Sequence, residues 1–76
     1  MEINDFIKRF AAQFDDTDES EITPECSFKE FDEWSSLVGM SVLNVISKKY
    51  GVKLSLADFK TVETVKDLFD LVQSKQ

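Results

Sequence analysis

Trp34-Ser35-Ser36-Leu37-Val38-Gly39-Met40-Ser41-Val42-Leu43-Asn44-Val45-Ile46-Ser47-Lys48-Lys49-Tyr50-Gly51 is the stretch that decides the fold. A long acidic run ends here and an apolar-periodic segment begins. Leu37, Met40, Val42, Leu43, Val45, Ile46 and Tyr50 recur at helical steps, which predicts a helix over residues 36–50. Ser35 or Ser36 reads as its N-cap, and Gly51 stands where a left-handed C-cap is expected. Lys48 and Lys49 suit the negative end of its dipole. The apolar surface is broader than one core-facing stripe requires. Val42, Leu43, Ile46 and Tyr50 are predicted to point inward, leaving Leu37, Met40, Ser41, Asn44 and Lys48 on an outward face continuous with Ser36. Exposed Leu37 and Met40 would form a modest apolar patch of the kind that marks a contact site.

On the N-terminal side, Ile3, Phe6, Ile7, Phe10, Ala11 and Phe14 step by three and four, predicting a helix over residues 2–14. The three phenylalanines on this stripe read as core. Residues 15–35 form a long acidic loop in which Ile22, Phe28, Phe31 and Trp34 are the expected anchors, with Phe28 and Phe31 on a short helical turn. On the C-terminal side, Val52 to Leu56 alternates like a strand but has no partner strand, so Ser55 is taken to cap a short helical turn over residues 56–60. Thr64-Val65-Lys66-Asp67 has the form of a capping box and opens a last helix over residues 64–74, with Val65, Leu68, Phe69 and Val72 inward. The fold class is all-α: three main helices, one short one and a long loop. The whole chain, 1–76, reads as one domain.

Composition narrows the function. A 76-residue chain with 42% apolar residues and nine aromatics folds, and two glycines with one proline are too little punctuation for a small β-barrel. Cys26 is the lone cysteine, and the acidic start at Glu2 and Asp5 does not read as a signal peptide, so a cytoplasmic location is expected. No apolar run reaches the roughly 20 residues of a membrane span. Residues 1–33 hold eleven acids against three bases, and residues 34–76 hold four acids against six bases, which reproduces the net charge of -6. Phosphate backbones would be repelled, so nucleic acid is not an expected partner of this acidic protein. A calcium loop begun at Asp16 would need glycine and glutamate where Glu21 and Ser27 stand, and no metal is expected. There is no histidine to activate Cys26, and the chain does not read as an enzyme.

The order of elements now carries weight. A helix, a long acidic loop, Ser36-Leu37 opening a second helix, Tyr50-Gly51-Val52-Lys53-Leu54, a short third helix, and Thr64-Val65-x-Asp67-Leu68 opening the last together resemble an acyl carrier protein over nearly the whole chain. The resemblance implies an acyl-carrier-like four-helix bundle. The signature of that family is Asp-Ser-Leu at the start of the second helix, where the serine carries 4′-phosphopantetheine donated by coenzyme A. Ser36-Leu37 match its last two positions, so the resemblance implies attachment at Ser36. Trp34 before the motif is similar to a bacterial branch whose motif opens with tryptophan. The implied partners are a phosphopantetheinyl transferase and the biosynthetic enzymes that load and transfer an acyl or aminoacyl group. They would read Leu37, Met40, Ser41, Asn44 and Lys48 around the arm. The modified chain would be a phosphoprotein, and a monomer is expected because the helices can cover one another.

Elementary chemistry agrees with Ser36. A helix N-terminus offers unpaired N–H groups and the positive end of the macrodipole, which stabilise an added phosphodiester by roughly 0.3–1 kcal/mol. Two departures from the family pattern shape the reading. Ser35 replaces the aspartate that helps the transferase engage, and residues 36–50 hold no acid where family members carry several. A specialised carrier with a dedicated pathway follows. The alternative is an unmodified carrier-fold module that binds a partner protein through Leu37 and Met40.

Overall fold

The computed structural model describes residues 2–76. Its three α-helices are α1 (Ile3–Ala11), α2 (Ser36–Tyr50) and α3 (Val65–Ser74). Short 3₁₀ turns cover Glu19–Glu21, Phe28–Glu30 and Leu56–Thr61. Among the described residues there is no strand, only an isolated bridge between Ser27 and Thr64. No helix among them is long and apolar enough to cross a membrane.

The core forms where the periodicities place it. Phe6, Ile7 and Phe10 of α1 are buried, as are Val42 and Ile46 of α2 and Val65, Leu68, Phe69 and Val72 of α3. Leu43 and Tyr50 are half-buried against this core. Helix α2 keeps its expected bounds because both stops are present. Gly51 takes the left-handed conformation at φ 68° and donates its N–H to Ser47 O at 3.1 Å. Thr64 caps α3, with Asp67 N–H on Thr64 Oγ1 at 3.1 Å and the Asp67 carboxylate accepting from Thr64 N–H at 3.2 Å. The last short element runs one residue past expectation to Thr61 and is 3₁₀ in kind, its start held by Ser55 N–H on Asp58 Oδ2 at 2.8 Å.

The expected helix over 2–14 is corrected: α1 ends at Ala11. Gln13 N–H and Phe14 N–H reach only three residues back, to Phe10 O and Ala11 O, so the helix tightens into a turn. The cause lies outside the local sequence. Glu33 accepts from Asp15 N–H at 2.6 Å, from Asp16 N–H at 3.0 Å and from Thr17 Oγ1 at 2.8 Å, drawing these residues out of the helical path. Phe14 stays buried, so the stripe reading holds for the side chain while failing for the backbone.

The long loop is tied down along its length. Ile22 and Phe28 are buried, and Phe31 and Trp34 pack half-buried against the core. Val65 N–H donates to Cys26 O at 3.2 Å and Lys66 N–H to Pro24 O at 2.8 Å, so loop carbonyls satisfy the opening turn of α3. Lys29 Nζ donates to Phe59 O at 2.8 Å, fastening the Phe28 turn to the Leu56–Thr61 turn.

Candidate functional site

Trp34 sets the position of everything that follows it. Its ring meets Phe28 edge-on at 4.9 Å and Phe59 edge-on at 5.1 Å, and stacks on Phe14 at 6.4 Å. Aromatic pairs of this kind contribute about 0.5–1.5 kcal/mol each beyond buried area. The tryptophan thereby pins the entry to α2 onto three separate parts of the chain. The Trp34 backbone N–H donates to Phe31 O at 3.0 Å, closing the last turn of the loop.

The next two serines divide their roles. Ser35 is extended (φ −157°, ψ 172°), and its Oγ accepts from Val38 N–H at 3.3 Å while its carbonyl accepts from Gly39 N–H at 2.9 Å. Ser35 is therefore the N-cap, and Ser36 is the first helical residue. Aspartate, asparagine and serine are nearly equivalent caps, so serine at the motif's first position performs the structural task an aspartate would. Ser36 is exposed, and among the described residues its hydroxyl and the N–H groups of Ser36 and Leu37 make no hydrogen bond. A phosphodiester on Ser36 Oγ would fit here without displacing any protein contact.

The sequence-predicted face runs along α2 away from this serine. Leu37 is 77% exposed and Met40 59%; Asn44 and Lys48 are exposed, and Ser41 is half-buried. Leu56, which the sequence reading assigned only to a short turn, is 41% exposed and packs beside Gly39 of α2. The Ser55–Asp58 cap was the available signal, since it fixes the residue after Ser55 at the start of a turn. The 15 residues of α2 carry no acid, and two lysines close the helix.

Gly39 is a close-approach residue. It is buried, and a Cβ there would lie 3.3 Å from Leu56 Cδ2, 3.3 Å from Phe59 Cε2 and 3.5 Å from Trp34 Cζ2. The glycine lets the Leu56–Thr61 turn and the indole press directly onto α2.

Glu33, just ahead of Trp34, was not visible as a site residue because its partners lie 16–18 positions away. Desolvation pushes its carboxyl pKa up, but hydrogen bonds from Thr17, Asp16 and Asp15 outweigh that and hold it below the ordinary glutamate value. It is an anchored carboxylate whose oxygens are already occupied. Cys26 is half-buried, and its carbonyl serves α3.

A family model described as a phosphopantetheine attachment site matches residues 5–72. The chain belongs to that family. Domains of the phosphopantetheine attachment family carry a covalently attached 4′-phosphopantetheine and act as carriers that are not themselves catalytic. They interact with transferases and acyl-handling enzymes. Compared with curated proteins, the chain finds no match. The matched span contains all of α2 and the four residues Trp34 to Leu37, together with most of α1 and α3.

Proposed function

We propose that this chain is a specialised acyl or aminoacyl carrier, a single domain over residues 1–76, with 4′-phosphopantetheine attached through Ser36. The observation that carries the reading is the pairing of Ser35 and Ser36. One hydroxyl is engaged in capping α2, and its neighbour is exposed and, among the described residues, unbonded and flanked by N–H groups without a partner at the positive end of the helix. Esterification places a negative charge where the backbone already favours one. Leu37, Met40, Ser41, Asn44 and Lys48 form the surface that loading and transfer enzymes read, with Leu56 added to it. The acid-free α2 supports a dedicated set of partners whose docking surface is not a basic patch, because a basic patch would meet lysines here. A monomeric, cytoplasmic and bacterial protein serving one biosynthetic pathway is the setting that accords with this.

The test is direct. Wild-type, Ser35→Ala and Ser36→Ala proteins are incubated with coenzyme A, magnesium and a broad-specificity phosphopantetheinyl transferase, and intact masses are taken. One phosphopantetheine on wild type and on Ser35→Ala, with none on Ser36→Ala, is expected. No gain on wild type, or a gain that survives Ser36→Ala, refutes the assignment. The exposure of Leu37 and Met40 also supports a second reading, an unmodified interaction module on the carrier fold. That reading requires partners to bind the unmodified protein and Ser36→Ala equally well.

A further inference from the structure

We propose that this carrier holds its cargo outside the helical bundle, and that the cargo class is therefore short or polar, an aminoacyl or short acyl group. The proposal rests on the reading of Ser36 as the attachment point. A hydrocarbon tethered beside α2 gains by leaving water, so it will enter any apolar space within reach. The space nearest Ser36 is filled. One turn along α2, the gap that Gly39 opens is occupied by Leu56 Cδ2, Phe59 Cε2 and Trp34 Cζ2, at 3.3 to 3.5 Å from where a Cβ would stand.

Behind this first layer the packing is interlocked. Trp34 meets Phe59 at 5.1 Å, Phe28 meets Trp34 at 4.9 Å, and Phe28 meets Phe59 at 6.1 Å, all near edge-to-face. Moving any one ring breaks contacts with two others, so the barrier does not yield one side chain at a time. Beyond it, the cavity between α1 and α2 has a volume of about 10 Å³, with Phe6, Phe10, Val42 and Ile46 among its walls. That is room for about one water molecule and not for an alkyl chain. Its first wall residue on α2, Val42, also lies about 9 Å along the helix from Ser36 at 1.5 Å per residue. The wider clefts, of 310, 380 and 460 Å³, are open to solvent, and each is lined in part by charged side chains such as Asp16, Lys8 and Asp18. None offers a dry apolar wall on all sides. Cargo on the arm remains in water, where short and polar groups are the ones that cost least to expose.

Two measurements test this, and the second does not depend on natural modification at Ser36. In the first, acetyl- and octanoyl-phosphopantetheine are installed from the matching coenzyme A thioesters by the transferase with magnesium, adenosine 3′,5′-bisphosphate leaving, and hydrolysis of each thioester is timed against the same thioester of free pantetheine. In the second, the Ser36→Cys/Cys26→Ser protein is alkylated with a maleimide of pantetheine length bearing an acetyl or an octanoyl end. Amide spectra of the two products are then compared. The expected result is equal protection for both thioesters and indistinguishable shifts for Val42, Ile46 and Phe59 in both alkylated products. A chain sequestered nine-tenths of the time would slow octanoyl hydrolysis about tenfold. That slowing, or chain-length-dependent shifts in those core residues, overturns the proposal. If the transferase leaves wild type unmodified, the Ser36 assignment fails while the alkylated protein still decides where a tethered chain goes. Trp34→Leu, which thins the barrier and keeps an apolar side chain, is expected to produce octanoyl-specific core shifts; their absence overturns the role given to the tryptophan.

Discussion

Replacing Ser35 separates its structural role from its place in the motif. In Ser35→Ala, the Val38 N–H loses its side-chain acceptor. Loss of a serine cap costs about 0.5–2 kcal/mol, and this bond is long, at 3.3 Å, and exposed, so the cost belongs in the lower half of the range, about 0.5–1 kcal/mol. For a domain of 76 residues each kcal/mol moves Tm by about 4–8 °C, giving a fall of about 2–8 °C. In Ser35→Asp the acceptor is retained. The new charge gains about 0.3–1 kcal/mol from the helix dipole, opposed by the net negative charge of the acidic segment that precedes α2, so the net change stays within about 0.5 kcal/mol. Thermal melts of the three proteins, with hydrogen exchange at the Val38 amide, read both effects. Faster Val38 exchange and a lower Tm should appear in Ser35→Ala alone. A Ser35→Ala protein as stable as wild type, or a Ser35→Asp protein that falls with it, refutes the assignment of Ser35 as the cap.

Trp34→Ala removes a half-buried ring with three aromatic neighbours, and should cost about 2–3 kcal/mol by urea denaturation, less than the 3–5 kcal/mol of a fully buried aromatic. Gly39→Ala gains about 1 kcal/mol of helix propensity but forces its Cβ against Leu56 and Phe59, and overpacking costs typically 1–3 kcal/mol. A net loss is expected, smaller in a Leu56→Ala background, and a raised Tm for Gly39→Ala would refute the close-approach argument. The hydrogen bonds from Ser20 to Asp18 and from Thr64 to Asp67 hold both carboxyl pKa values below ordinary, as at Glu33. Their contribution is complete above the unfolded carboxylate range and is lost as pH falls through about 4 and below, so Tm should drop there, and less steeply in Glu33→Gln.

The parts of the fold that were legible in the sequence are those written in local chemistry. Helix α2 runs between its expected bounds because its N-cap, apolar period and left-handed glycine all lie within or beside it. The Thr64–Asp67 box and the inward set of α3 are equally local. What was hidden depends on pairs far apart in the chain. The end of α1 is set by Glu33, and the loop's ties to α3 are made by the backbone carbonyls of Pro24 and Cys26, groups every residue possesses and no sequence pattern marks. At the site, the resemblance implied attachment at Ser36, but the sequence left open which of the two adjacent serines caps the helix. Only the backbone of Ser35, extended and outside the helix, shows which hydroxyl faces Val38.

The starts of α2 and α3 are built oppositely, and the difference bears on function. At α3, Thr64 Oγ1 takes one N–H, loop carbonyls take two others, and Asp67 adds a negative charge. Its positive end is neutralised and closed. At α2 a neutral serine supplies the cap, the first turn contains no acid, and two N–H groups have no partner among the described residues. A helix start left this electropositive is less stable than one finished like α3, by the few tenths to about 1 kcal/mol that a complementary charge provides. A phosphodiester on Ser36 would supply that missing charge at the position the fold leaves open. Modification should therefore raise the stability of the protein, and substituting Ser35 by aspartate should reduce that rise, since the aspartate would already complement the dipole. Equal Tm increments on loading in wild type and Ser35→Asp would show that the open helix start has no part in holding the arm's phosphate.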